Sequence, residues 1–520
     1  MKKIYLIFIV LIGISTSCKK NLEELNVDTK HPTEVPGNFL FANAQKALGD
    51  QVSSTNVNLN NWKLWAQYWT ETTYTDESNY DVVTRDIASN TFGEYYRDNL
   101  ADLKEAARII GGEPTAGEDE EKAKENRLII IDILTVYSYQ RLVDMFGNIP
   151  YYEALDIENI SPVYDDAEAI YKDLITRINS DIISLGSGGN SFGADDIYFS
   201  GNVAMWLKFA NTLKVKLGIT MATVDNGLAK STVEAAFTGA FGEGEGCELE
   251  YLGGINSNQI YVDMIQSGRH DFVATSTITD MMNTLADPRL YSYFTLIDTS
   301  SNPEVTKLAY HGGEPGYSSS YTQFSHIPNT GVDAASAGGD RLDTDVEGSN
   351  VADATFPMVL LDYTELCFYL AEAAERGYSV GGSAEEWYTK GITASMNWWL
   401  SKHYGPGDVA SMTADYLANT DVAYGSAAGD WREKIGNQSW LAFYYRGFIG
   451  YTSFRRLGYP VMKQVPSPYE GSGGTVPRRL TYPIDDQTLN AANYTQAASA
   501  IGGDLLKTKL FWDVGPVPSK

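Results

Sequence analysis

The residues that most often carry chemistry are sparse and scattered in this 520-residue chain. The five histidines are His31, His270, His311, His326 and His403, and no two fall at the spacing with which one helix face holds zinc. No GxSxG elbow presents a nucleophilic serine, and no GxxxxGK[ST] loop cradles a phosphate. Gly242, Gly244 and Gly246 alternate with Glu243 and Glu245, whose charges repel a phosphate. The run Asp343-Thr344-Asp345-Val346-Glu347-Gly348 resembles the opening of a calcium loop, because hard cations want clustered oxygens. Asp343, Asp345 and Glu347 are therefore candidate ligands. Ala354 stands where a closing glutamate belongs, and a solvated acidic turn is the alternative. With 67 acidic residues, an acid and nucleophile pair of glycosidase type can always be drawn, and only a measured separation gives it meaning. These residues give no support to metal catalysis or nucleotide binding, and no cofactor is expected.

One cysteine does suggest covalent chemistry. Lys2 and Lys3 precede an apolar run from Ile4 to Ile14, followed by Ser15, Thr16, Ser17 and Cys18. The run suits the core of an export signal and falls short of the roughly 20 residues of a membrane-spanning helix. Small residues ahead of Cys18 predict cleavage after residue 17 and lipid attachment to its sulfur. An ordinary secretory signal is the alternative, since Ser15 stands where bacterial lipoprotein signals usually carry Leu. Each acyl methylene buried in a membrane contributes about 0.8 kcal/mol, so two or three chains hold a protein there almost permanently.

Aromatic residues provide the binding signal. Tyr outnumbers Phe by 34 to 19, and there are 10 Trp, more polar-tipped rings than a core requires. Trp62, Trp65 and Trp69 fall at i, i+3 and i+7, the pattern of a packed helix face. The next segment, Tyr74-Thr75-Asp76-Glu77-Ser78-Asn79-Tyr80-Asp81, is too polar for core. Rings there can stack on the apolar face of a pyranose while neighbouring side chains bind its hydroxyls. Candidate ligand residues are Trp69, Tyr74, Asn79 and Tyr80, joined by Tyr261, Arg269, His270, Tyr310, Tyr317 and Tyr321 from later loops.

The elements that must position these residues read as helices. A pattern free of Pro and Gly runs from Lys122 to Phe146 and stops at Gly147. Asp165 with Glu168 resembles a capping box ahead of Ile170, Leu174, Ile178 and Ile182. Further helices are expected over Val203–Val224, Tyr363–Tyr378, Glu385–His403 and Ser439–Arg456, the third opened by the capping box Ser383-Ala384-Glu385-Glu386. Neighbouring pairs joined by short loops predict a mainly α fold of stacked, tetratricopeptide-like hairpins forming one large domain, although no clean 34-residue period is present. The expected layout is a leader (1–17), a tether (18–36), a helical scaffold (about 37–225 and 362–460), a loop-rich insert (about 226–361) and an irregular C-terminal segment (461–520). Cys247 falls in a Gly/Glu-rich loop and Cys367 in an apolar helix, so no disulfide framework is expected. Removing the leader leaves 37 basic against 67 acidic residues, a balance that excludes nucleic acid and anionic headgroups as ligands.

Short motifs in a fixed order add a resemblance. They include Leu25-Asn26-Val27-Asp28 leading to Pro32-Thr33-Glu34-Val35-Pro36, then Tyr95-Tyr96-Arg97-Asp98, and Gln140-Arg141-Leu142-Val143-Asp144-Met145-Phe146-Gly147-Asn148-Ile149-Pro150-Tyr151. Trp206-Leu207-Lys208-Phe209-Ala210-Asn211, Asp287-Pro288-Arg289-Leu290, Ala371-Glu372-Ala373-Ala374-Glu375-Arg376-Gly377, Arg455-Arg456-Leu457-Gly458-Tyr459-Pro460 and Pro477-Arg478-Arg479-Leu480 follow. Together they resemble the SusD/RagB family of Bacteroidetes surface lipoproteins, over Leu22 to Asp513. The resemblance implies a helical-hairpin domain with an irregular recognition face and an outer-membrane lipid anchor through Cys18, facing outward. It also implies a SusC-like TonB-dependent transporter as partner, over which the protein sits as a lid, delivering oligosaccharides or peptides without cleaving them. No binding motif transfers from the family. A surface glycoside hydrolase and a helical-repeat adaptor without a small ligand are the alternatives.

Overall fold

The computed structural model describes residues 35–186, 188–300, 307–327, 351 and 353–513. The leader, Cys18, the tether up to residue 34 and the calcium candidates Asp343, Asp345 and Glu347 lie outside the described residues.

The architecture is mainly α, as expected. In chain order the first helices are α1 (Gly37–Ser53), α2 (Trp62–Trp65), α3 (Ile87–Gly93), α4 (Ala101–Gly111), α5 (Glu118–Phe146), α6 (Ala167–Leu185), α7 (Val203–Thr220) and α8 (Asn226–Ala236). After them come α9 (Ser276–Thr284), α10 (Leu290–Tyr293), α11 (Tyr363–Glu375), α12 (Ala384–Leu400), α13 (Pro406–Ala418), α14 (Trp431–Ala442), α15 (Gly447–Leu457), α16 (Asp486–Leu489) and α17 (Ala491–Ala500). Packing is sequential: α1 on α4, α4 on α5, α5 on α6, α6 on α7 and α7 on α8. The stack continues across the insert, because α7 also packs on α11, α11 on α12 and α14, and α14 on α15.

Local chemistry explains several helix ends. Four acidic residues, Glu118 to Glu121, open α5 where the helix dipole favours negative charge, and Gly147 at φ +84° closes it. Ser383 and Glu386 form the reciprocal capping box at the start of α12. The cap of α6 is Asp166, which accepts from the Ala169 N–H. Asp165, expected in that role, instead accepts from the N–H groups of Tyr151 and Tyr152 at 2.9 Å each, tying the preceding loop to the helix entry.

Three boundaries differ from expectation. Residues 226–236 form α8 and belong to the stack, so the loop-rich insert begins after them. The C-terminal segment contributes α16 and α17. The helix expected from Ser439 to Arg456 is two helices broken at residues 443–446. That break is tertiary in origin: Tyr444 stacks on Tyr293 with ring centres 4.2 Å apart, and Arg446 turns inward to Glu365 (2.8 Å) and Asp362 (2.9 Å). Glu365 also meets Lys216 at 3.0 Å, so one wholly buried carboxylate joins α7, α11 and the break. Glycines then let α15 lie against residues 63–68; a Cβ on Gly450 would sit 1.9 Å from the Tyr68 hydroxyl oxygen.

Among the described residues the strands form three two-stranded antiparallel sheets: β1 (Trp69–Glu71) with β3 (Phe272–Ala274), β2 (Gly246–Leu249) with β6 (Met358–Asp362), and β4 (Ile297–Asp298) with β5 (Leu308–Ala309). Cys247 lies on β2 rather than in an open loop, and both it and Cys367 are buried, unbonded thiols. No helix among the described residues is long and apolar enough to cross a membrane.

Candidate ligand-binding face

The expected recognition residues are brought together by the β1–β3 pairing, with Trp69 opposite Ala274 and Glu71 opposite Phe272. Past the sheet, the Thr72 N–H donates to the Asp271 carbonyl at 2.7 Å, and the Ser319 N–H donates to the Thr72 carbonyl at 2.9 Å. Three stretches distant in sequence, near 72–80, 269–273 and 316–326, thereby form one surface.

Asn79 is the hub that holds this surface rigid. Its amide donates to the carbonyls of Thr75 (2.8 Å) and Gly316 (2.9 Å) and accepts from the Ser467 N–H at 3.1 Å. Its own carbonyl accepts from the Tyr469 N–H at 2.8 Å. Gly316, at φ +77°, is required here, since a Cβ would sit 2.8 Å from the Asn79 side-chain oxygen.

Beneath the loop lies a buried carboxyl pair. Glu71 accepts from the Ser78 hydroxyl (2.9 Å) and N–H (3.1 Å), and Glu77 is paired with Arg85. Burial, and then the charge of Glu77, raise the Glu71 carboxyl to about 9, so it is protonated at neutral pH. Both side chains are 1 % exposed and out of reach of any ligand on the surface, so they do not form a glycosidase pair.

The candidates separate sharply by exposure. Tyr74 is 77 % exposed, on a left-handed backbone at φ +53°, and Tyr317 is 52 % exposed. His270 is exposed and its ring lies 5.4 Å from that of half-buried Tyr321, which in turn packs 4.4 Å from His326. Arg269 is half-buried, fixed by three hydrogen bonds to Asp271 and lying 4.6 Å over the Phe272 ring. Tyr261 is half-buried on the π-helical turn Tyr261–Gln266, which the Arg269 N–H closes through Met264. Tyr310 is half-buried, its carbonyl capping Asn283.

Three candidates are corrected to scaffold. Trp69 is 2 % exposed and donates its indole N–H to the Tyr444 hydroxyl at 2.9 Å. Tyr80 is 1 % exposed in the core, and Asn79 uses its amide on the protein itself. The packing expected of Trp62, Trp65 and Trp69 is present, but α2 ends at Trp65 and Trp69 leaves on β1. The sequence also gave no sign of Lys463, whose ammonium reaches Ser276 (2.7 Å), Asp280 (2.9 Å) and Glu314 (3.3 Å) beside this face. Its only mark in the chain is a strap of Pro and Ser residues far from every partner.

Chemically, the face offers protruding rings, amides and carbonyls, and an arginine whose charge Asp271 already neutralises. Among the described residues no group of His, Cys, Asp or Glu is arranged to hold a metal ion. A family model described as SusD-like, "starch-binding associating with outer membrane", matches residues 29–483. The chain belongs to the SusD-like family. Proteins of this family bind their ligands and are not enzymes.

Solved SusD-like structures agree in fold. A chitin-binding protein superposes with a TM-score of 0.76 at 24 % identity, covering 92 % of this chain and 100 % of its own. A SusD homologue from Bacteroides ovatus gives 0.73 at 21 %, covering 92 % and 99 %. A chitin-binding SusD homologue from Flavobacterium johnsoniae gives 0.71 at 21 %, covering 92 % and 98 %. No curated protein matches the chain.

Proposed function

We propose that this SusD-like protein captures oligosaccharides at the cell surface. In this reading it is held in the outer membrane by lipid on Cys18 and hands its ligand to a SusC-like TonB-dependent transporter, over which it sits as a lid. The observation that carries the binding role is the exposure of the Tyr74 and Tyr317 rings on backbone cross-linked by Asn79. A ring presented on a fixed loop binds with little ordering cost, and an open platform suits a polymer better than an enclosed pocket does. Tyr321, His270, Arg269 and Tyr261 extend that platform with partly exposed polar edges. Two of the structures that share the fold are chitin-binding proteins, so chitin oligosaccharides lead the ligand panel, ahead of starch oligosaccharides and peptides.

The test is calorimetry of the protein against that panel, with product analysis on the same samples. Saturable binding without cleavage is expected. Release of reducing ends would replace capture with hydrolysis, and no binding to any member would leave an adaptor role. Co-purification with a TonB-dependent transporter, and its loss on Cys18→Ala, tests the partner and the anchor.

A further inference from the structure

A groove of about 400 Å³, the size of a small-molecule site, is lined by α5 and its two neighbours, α4 and α6, and shares no lining residue with the aromatic face. From α5 comes the stripe Leu128, Ile131, Asp132, Thr135 and Tyr139, spaced i, i+3, i+4, i+7 and i+11 and hence on one helix face. Leu103, Lys104 and Ala107 come from α4, and Asp173 and Arg177 from α6. The loop 151–155 completes the lining, and it is fixed in place. Asp165 holds the Tyr151 and Tyr152 N–H groups, and Lys104 donates to the Leu155 carbonyl at 2.7 Å.

Three rings lead out of this groove. Buried Tyr139 meets Tyr151 edge to face with ring centres 4.7 Å apart, and Tyr151 meets Tyr152 in the same way at 4.9 Å. Tyr152 is 61 % exposed. A stacking ring is thus offered to solvent on a loop that is already ordered.

Two oxygens in the lining are free and open to solvent. Tyr139 is only 5 % exposed, yet its hydroxyl has no hydrogen-bond partner among the described residues and is not sealed from water. Burial raises the pKa of that hydroxyl and the charge of Arg177 opposes the rise, so the group faces the polar side of the groove. Asp173 accepts from the Tyr151 hydroxyl at 2.5 Å through one oxygen and leaves the other unpartnered and likewise open. Arg177, by contrast, is engaged by Asp132 and donates to the Tyr151 hydroxyl oxygen at 2.6 Å. Two cations, Lys104 and Arg177, thus face two carboxylates, Asp132 and Asp173. The lining carries no net charge, in a chain whose net charge is −28.

We propose that this groove is a second saccharide site, for a neutral pyranose unit; its ligand class rests on the oligosaccharide reading above. One face of the sugar packs on the Tyr152 ring. One sugar hydroxyl donates to the free Asp173 oxygen, another bonds to the Tyr139 hydroxyl, and Leu103, Ala107 and Leu128 cover the apolar remainder. A lining without net charge, with free oxygens beside an apolar wall, suits a ring that is polar at its rim and apolar on its faces. A polymer that engages this groove and the aromatic face together is retained by avidity, beyond what either site supplies alone.

The test is hydrogen exchange of the protein with triacetylchitotriose, maltotriose and, as a control, trialanine, each at millimolar concentration. Either sugar is expected to slow exchange at 151–155, in the wild type and in the Tyr74→Ala/Tyr317→Ala variant alike. Tyr139→Phe deletes only a hydroxyl that bonds nothing in the protein, so its thermal midpoint should not move. In the Tyr74→Ala/Tyr317→Ala background, calorimetry should show Tyr139→Phe weakening sugar binding by about threefold to tenfold, whereas a merely structural Tyr139 would leave affinity unchanged. Protection at 72–80 and 316–326 alone overturns this proposal and leaves the aromatic face standing, and protection at 151–155 alone does the reverse. Protection of 151–155 by trialanine but by neither sugar, no protection anywhere, or undiminished affinity in Tyr139→Phe also overturns it.

Discussion

The helical stack and the aromatic face are built by different means. The stack is held by buried side chains, with ion pairs such as Lys216–Glu365–Arg446 crossing between helices. The aromatic face has strands of three residues and is held mainly by hydrogen bonds to main-chain groups, several of them made by the Asn79 side chain. The stack is therefore cooperative: removing one buried partner destabilises every layer. The face is modular, and its rings can change without touching what holds its loops. That separation lets one scaffold carry different recognition surfaces.

The largest effect is expected in the stack. Burial pushes the Glu365 carboxyl up, but Lys216 and Arg446 more than offset this and hold it below the ordinary carboxylate range. Glu365→Ala leaves two buried cations without their shared partner, and a loss of about 3–5 kcal/mol is expected in chemical denaturation. A loss under about 1 kcal/mol would mean that the junction is not what ties α7 to α11. Because the folded value is depressed, this stabilisation is present at neutral pH and is lost as pH falls through the folded value.

Glu71 has the opposite sign. Its folded value, about 9, lies above the ordinary 4.5 of the unfolded chain, so the unfolded state ionises first as pH rises. Stability is fully present below about 4.5 and declines as pH rises toward 9. Glu71→Gln keeps a neutral donor beside Glu77 and removes that decline. A gain of a few kcal/mol at pH 8 is expected in denaturation, vanishing below about pH 4.5. An equal effect at pH 4 and pH 8 would show that packing, not titration, is responsible.

How far each region was legible in the chain follows from the same contrast. The start of α12 and the end of α5 were readable because Ser383, Glu386 and Gly147 act on their own turns. The break at 443–446 was not, because Tyr293 and Glu365, which impose it, lie far away in sequence. Asp165 and Asp166 differ by one residue in a role that either can fill, and only the fold chooses between them. Residues 226–236 are mostly small, with Gly227 inside, so their helical period is faint. In the candidate site, the exposure of Tyr74 was legible from its polar neighbours. The burial of Trp69 was not, since the hydroxyl that receives its N–H is 375 residues away.

A third substitution tests whether the hub holds the face alone. Asn79→Ala removes the bonds to Thr75, Gly316 and Ser467, and a cost of about 1–2 kcal/mol is expected. Hydrogen exchange should accelerate at residues 72–80, 316–319 and 467–469 while α5 and α7 stay protected. Faster exchange throughout the stack would mean that the two regions are not separable.

The smallest change in stability is expected where the largest change in ligand binding is proposed. Tyr74 and Tyr317 make little contact with the core, so Tyr74→Ala and Tyr317→Ala should each alter unfolding free energy by no more than about 0.5 kcal/mol. A stacked ring contributes about 0.5–1.5 kcal/mol beyond its buried area, so each variant should weaken oligosaccharide binding by roughly threefold to tenfold. Tyr74→Phe should recover most of the loss if the ring face does the binding, and little if the hydroxyl does. Undiminished binding in the double variant would move the ligand off this platform and leave the fold and the family unaffected. Neither protruding ring supports the core, so binding and stability can be measured here with almost no cross-talk.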